Sequence, residues 1–100
     1  MQYYHATTVD NALQINNDGE IKTGCDGIVY LADSPENAVK FVAIRGHHEV
    51  VVYTIDVPDE SLVEETFDHS LAFFKCKAYG YPENIDLSYV KEAFQYTLNF

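Results

Sequence analysis

His5 is the first residue in the chain equipped for chemistry, and its neighbours sharpen it: the run reads Tyr4-His5-Ala6-Thr7-Thr8. An imidazole followed at once by two hydroxyls, on a strand that leads into a helix start, can bind the polar groups of a ribose or an amide. A single strand histidine also serves as a structural group with its hydrogen bonds satisfied, so His5 needs partners from elsewhere in the chain. Metal chemistry has no comparable signal. His47 and His48 are adjacent, so their side chains diverge in a strand or a helix and do not form the i,i+4 pair of a helical metal site. They read as exposed loop residues after Gly46. Cys25 and Cys76 make no CxxC and no Cys/His zinc spacing. The start, Met1-Gln2-Tyr3-Tyr4-His5, carries no basic n-region and no apolar h-region. Two free thiols in a cytoplasmic protein are therefore expected, and no resident metal.

The elements that must position His5 fit into 100 residues, 47% of them hydrophobic and 22% charged. Residues 1–100 are read as one domain, with enough apolar surface for a core. No apolar run approaches the ~20 residues that cross a bilayer, so no membrane association is expected. The formal charge is -10, which argues against a broad nucleic-acid surface because phosphates would be repelled. The densest acid runs from Asp56 to Asp68 through Asp59, Glu60, Glu64 and Glu65, with no base among them. A solvated face is the simpler account of this run, and a surface for a basic protein partner is the sharper one.

Residues 2–6 read as a first strand, and Thr8 as the N-cap of a short helix packed through Val9, Ala12, Leu13 and Ile15. Asp18-Gly19 ends that helix. Ile28 to Ala32 forms a buried strand. Asp33-Ser34-Pro35-Glu36 then opens a second helix, with Ala38, Phe41 and Val42 on one face and a stop near Arg45-Gly46. Residues 49–57 form a central strand closed by Pro58, and the acidic 59–68 segment a loop or short helical turn. Residues 71–79 read as a half-exposed strand and Gly80-Tyr81-Pro82 as a turn. Ser88 begins a last helix packed through Tyr89, Val90, Ala93, Phe94 and Thr97. The expected class is α+β, with a small mixed or antiparallel sheet and three helices.

Two segments together, "YHATT" and "GIVYLADSPENAVKF", resemble the ADP-ribosyltransferase fold of the histidine-tyrosine-glutamate type. That group includes the poly-ADP-ribose polymerases and diphtheria toxin, with the RNA 2′-phosphotransferases as relatives. The resemblance covers about residues 3–57. It matches His5, Ala6 and Thr7 to the first motif and Tyr30, Leu31, Ala32 and Asp33 to the second. It implies that Phe41, on the following helix, is the second aromatic wall, and that Glu83 is the late glutamate. Ala6 stands where the family has glycine, and Ala38 where the polymerases have a carboxamide-binding serine.

The resemblance implies NAD as substrate. Tyr30 and Phe41 would clamp the flat nicotinamide, the backbone of Ala6 would bind its carboxamide, and His5 would hydrogen-bond a ribose hydroxyl. A carboxylate near the sugar would stabilise the cation that develops as the glycosidic bond breaks. The first expectation is thus a minimal NAD-dependent ADP-ribosyltransferase acting on a protein or nucleic-acid acceptor, or cleaving NAD outright. The rival is an inactive acidic module, like a phage or mobile-element inhibitor, that targets a basic protein. Removal of an RNA 2′-phosphate ranks last, because Arg45 is the only arginine available for two phosphate-bearing ligands.

Overall fold

The computed structural model describes residues 2–24, 26–43, 46–66 and 78–98, apart from the side chains of Phe41 and Thr66. Strand β1 (Gln2–Thr8) runs directly into helix α1 (Val9–Asp18). Thr8 makes the junction: its backbone is extended and its hydroxyl accepts from Asn11 N at 3.2 Å. Gly19 closes the helix in the left-handed region at φ 78°, with its N–H donating to Ile15 O. A short strand β2 (Glu20–Ile21) follows, then β3 (Val29–Ala32). Ser34 caps helix α2 (Pro35–Ala43) by accepting from Asn37 N at 3.2 Å, as the Asp-Ser-Pro-Glu start requires. Gly46 turns the chain at φ 86° toward strand β4 (Glu49–Asp56).

Beyond β4 the chain forms a short 3-10 turn (Glu60–Leu62) and strands β5 (Glu64–Thr66), β6 (Ala78–Tyr81) and β7 (Ile85–Asp86). A second 3-10 turn (Leu87–Tyr89) leads into the last strand, β8 (Val90–Thr97). Six strands form one sheet in the order β5-β6-β3-β1-β4-β8, and β2 pairs separately with β7. Every pairing among the described residues is antiparallel. The architecture is α+β, as expected.

The sheet buries both faces at its centre. Tyr3, Leu31, Tyr53, Ile55 and Tyr81 pack with Ala12 and Ile15 of α1 on one side. Ala32, Val52 and Ala38 of α2 pack on the other, joined by Tyr4 and Ala6. Strand period explains the split: consecutive residues of β1 and β4 serve opposite cores, so these strands are apolar on both faces. Burial, with the Glu60 carboxylate beside the ring, pushes the Tyr3 phenol up to about 12. Among the described residues no helix is long and apolar enough to cross a membrane.

Several expectations are corrected. The Ser88 helix is strand β8, so two α-helices are present among the described residues instead of three. The Asp86 carboxylate accepts from Ser88 N at 2.8 Å and caps a single 3-10 turn. The chain then extends to pair with β4, from Glu49↔Thr97 to Ile55↔Val90. Ala93, Phe94 and Thr97 are exposed, not packed. Leu13 is 64% exposed and lies off the packed face of α1. Gly80 and Tyr81 belong to β6, and the turn starts only at Pro82. Most of the strand expected over 71–79, together with Cys25, Arg45, Asp68 and Cys76, lies outside the described residues.

The acid run is partly structural. Asp56 pairs with Lys91 at 2.8 Å, and Asp59 caps the first 3-10 turn by accepting from Ser61 N at 3.0 Å. Glu60 stands against Tyr3. Glu64 and Glu65 are exposed on β5.

Candidate functional site

The site arises from unequal pairing of β1. Against β4 the ladder is continuous, from Gln2↔Asp56 to Thr8↔Val50. Against β3 the register holds only Tyr4↔Ala32. From His5 onward β1 and β3 part, and a cleft of about 430 Å³ opens along the separation. That size falls within the ~300–1,000 Å³ of small-molecule sites. His5, Ala6, Thr7 and Thr8 line it from β1, and Tyr30 from β3.

His5 spans the gap. Its Nδ1 lies 2.7 Å from the backbone oxygen of Tyr30. A carbonyl can only accept, so Nδ1 carries the proton and donates. Burial pushes the His5 imidazole below the usual histidine range, with the Tyr30 carbonyl opposing this more weakly. The ring is therefore neutral at pH 7, and Nε2 is left as an acceptor. No described residue bonds to it.

Tyr30 is held from behind. Its phenol donates to the Asp26 carboxylate, and this bond holds the Asp26 carboxyl below its ordinary range. Asp26 is itself placed by a tight turn: Gly27 N donates to Gly24 O at 2.9 Å, Gly27 adopts φ 77°, and Asp26 Oδ1 accepts from Ile28 N at 3.2 Å. The Tyr30 ring is thus braced at its tip and 39% exposed. It can act as a flat wall for a ligand without loosening the core.

The other expected site residues divide. Ala6 and Thr7 line the cleft. The Thr8 hydroxyl is committed to capping α1. Phe41 lies in α2, and its side chain is outside the described residues; its helix neighbours Ala38 and Val42 are buried and reach the cleft wall. Glu83 is exposed in the turn between β6 and β7 and does not line the cleft. The carboxylates on the wall are Asp18 and Glu20. Asp18 accepts from Gln14 at 3.1 Å and pairs with Lys22 at 3.5 Å. Glu20 Oε1 accepts from Asn84 Nδ2 at 2.7 Å, so the β6–β7 turn contributes through Asn84, not through Glu83.

Glu20, Lys22 and Asp26 escaped the sequence reading. Glu20 follows the visible Asp18-Gly19 stop, but only the pairing of β2 with β7 brings it beside Asn84. Asp26 lies four residues before Tyr30, and no motif in the sequence marks it.

The lowered His5 pKa has a measurable sign. Above the unfolded-state value near 6.5 the ring is neutral in both states, and its contribution to stability is complete. As pH falls below that value the unfolded chain takes up a proton that the folded chain refuses. Stability is then lost at up to about 1.4 kcal/mol per pH unit until the folded pKa is passed. Urea unfolding of wild type and His5→Gln between pH 7.5 and 5 is expected to show the extra acid sensitivity in wild type alone. Parallel profiles would show that His5 titrates alike in both states.

No family model and no curated protein matches the chain. The fold is similar to the X-ray crystal structure of protein CC0527 from Caulobacter crescentus, with a TM-score of 0.67. The match covers 95% of this chain and 85% of that chain at 11% sequence identity. At that identity the likeness establishes the α+β fold alone.

Proposed function

We propose that the β1/β3 cleft binds NAD and that the domain breaks the bond between nicotinamide and ribose, passing ADP-ribose to a macromolecular acceptor or to water. The observation that carries this reading is the coupling of His5 to Tyr30 across the opening, which leaves one acceptor nitrogen and one exposed ring at the same cleft. The Tyr30 ring would stack on nicotinamide, and His5 Nε2 would accept a ribose O–H. Asn11 and Lys22, at the start of α1 and beyond its end, also line the cleft and suit the diphosphate.

In the reaction the C1′–N bond breaks with its electron pair going to the ring nitrogen, so nicotinamide leaves neutral. An acceptor oxygen forms the new bond to C1′ and loses its proton to solvent. We assign the carboxylate that faces the developing sugar cation to Glu20, because it lies on the cleft wall where Glu83 does not. A cytoplasmic setting supplies NAD. The engagement of Asp56, Asp59 and Glu60 within the fold favours this reading over an acidic docking module.

Thermal unfolding with NAD tests binding. At a hundredfold excess over Kd the expected stabilisation is about 2.7 kcal/mol, more than about 10 °C for a domain of this size. Nicotinamide release, followed by chromatography, tests turnover. Glu20→Gln is expected to abolish release and keep the thermal shift, while Glu83→Gln keeps both. Absence of any shift at millimolar NAD would overturn the reading.

A further inference from the structure

Strand β8 lies at the end of the sheet, paired with β4 on one side and with no described strand on the other. Edge strands of this length are normally shielded by proline, charge or a covering element. Here the eight residues Val90–Thr97 contain no proline and no glycine. Their one lysine, Lys91, is drawn back onto Asp56 of β4 at 2.8 Å. All but Val90 are exposed, including Phe94 at 42% and Tyr96 at 37%, whose ring centroids lie 6.4 Å apart. Phe94 and Tyr96 oppose Val52 and Val50 and so share the sheet face that α2 covers at β1, β3 and β4. That cover ends short of β8.

The direction of the open edge can be read from one bond. Leu98 N donates to His48 O at 2.6 Å, so residue 98 points its backbone groups at β4. By antiparallel alternation the N–H and C=O of Ala93, Gln95 and Thr97 point outward. These three residues form a self-matching set. A two-fold axis at Gln95 sets Gln95 against its own copy and Ala93 against Thr97 of the other chain, so that every outward residue meets an outward residue. The same operation brings Phe94 opposite Tyr96 of the other chain twice, in the closely spaced type of cross-strand pair.

Charge selects the same occupant. The chain carries -10, yet residues 93–97, which the two copies set against one another, are uncharged. Two acidic copies can therefore meet at β8 without bringing acid against acid, and the contact is isologous. We propose that β8 is a homodimer interface in which two copies join edge to edge, antiparallel, into one continuous sheet centred on Gln95.

Sedimentation velocity on the full chain is expected to give twice the 11.4 kDa chain mass, with added salt leaving the dimer intact because it screens the mutual repulsion of the two acidic bodies. Gln95→Pro deletes an outward N–H that β4 does not use, so the variant is expected to fold and to sediment at the chain mass. Phe94→Lys, which removes the Phe94 ring from Tyr96 of the other chain and sets two ammonium groups diagonally across the axis, is expected to do the same. Circular dichroism on both variants reports folding. Wild type at the chain mass would overturn the proposal and leave the edge to a strand from another protein. A dimer that persists in either folded variant would also overturn it.

Discussion

Tyr81→Ala is expected to be the most destabilising truncation among the described residues. Tyr81 is 1% exposed and is the largest fully buried side chain among the described residues. It sits on β6 opposite Val29, and its hydroxyl accepts from Asp59 N at 3.2 Å, tying the chain beyond β4 back to the core. Removing a buried aromatic ring costs about 3–5 kcal/mol, from a total that for a domain this size is roughly 5–15 kcal/mol. The unfolding midpoint should fall by more than about 10 °C. Tyr81→Phe keeps the ring and loses one hydrogen bond to an amide that water can reach, a change of about 1 kcal/mol. Urea titrations of the two variants separate packing from hydrogen bonding. A small effect of Tyr81→Ala would mean that α1 and β6 share less core than the structure shows.

Tyr30→Ala is expected to act more on binding than on stability. The ring is partly exposed and its phenol is bonded to Asp26, so its loss should cost about 1–2 kcal/mol of unfolding free energy, less than the loss of a buried ring. Stacking of a flat base on an aromatic side chain is worth about 1–3 kcal/mol, so the NAD dissociation constant should rise roughly 5- to 150-fold. Tyr30→Phe keeps the stacking surface and releases the Asp26 bond, so it should retain most of the affinity. Titration calorimetry on the three proteins reads this directly. Unchanged NAD affinity in Tyr30→Ala would place the nucleotide away from the β1/β3 opening.

The chain announces much of this arrangement through residues whose chemistry is local. Thr8 and Ser34 declare their helix starts because a cap needs only its own neighbours, and both caps form. Strand β4 is legible because its valines, Tyr53 and Ile55 leave no polar face. His5 and Tyr30 were legible as a pair only through family likeness, and they meet at one hydrogen bond. What failed was non-local. Val90, Phe94 and Thr97 have helical spacing, but Phe94 and Tyr96 also have the two-residue spacing of one strand face, and pairing with β4 decided between the two periods. Glu83 was favoured for its late position. Its neighbour Asn84 is what reaches the cleft wall, through Glu20, and no local pattern marks a partner 64 residues away.

Because β1 meets β3 at a single registered pair, the large sheet is two leaves, β5-β6-β3 and β1-β4-β8, joined along a thin spine. Helix α2 straddles that spine, touching β3, β1 and β4. A molecule seated in the opening grips both leaves at once. Its grip then works as a clasp for the protein, added to the Tyr4–Ala32 pair, the His5 bridge, the helix laid across them and the Tyr3, Leu31 and Tyr81 core that the two leaves share.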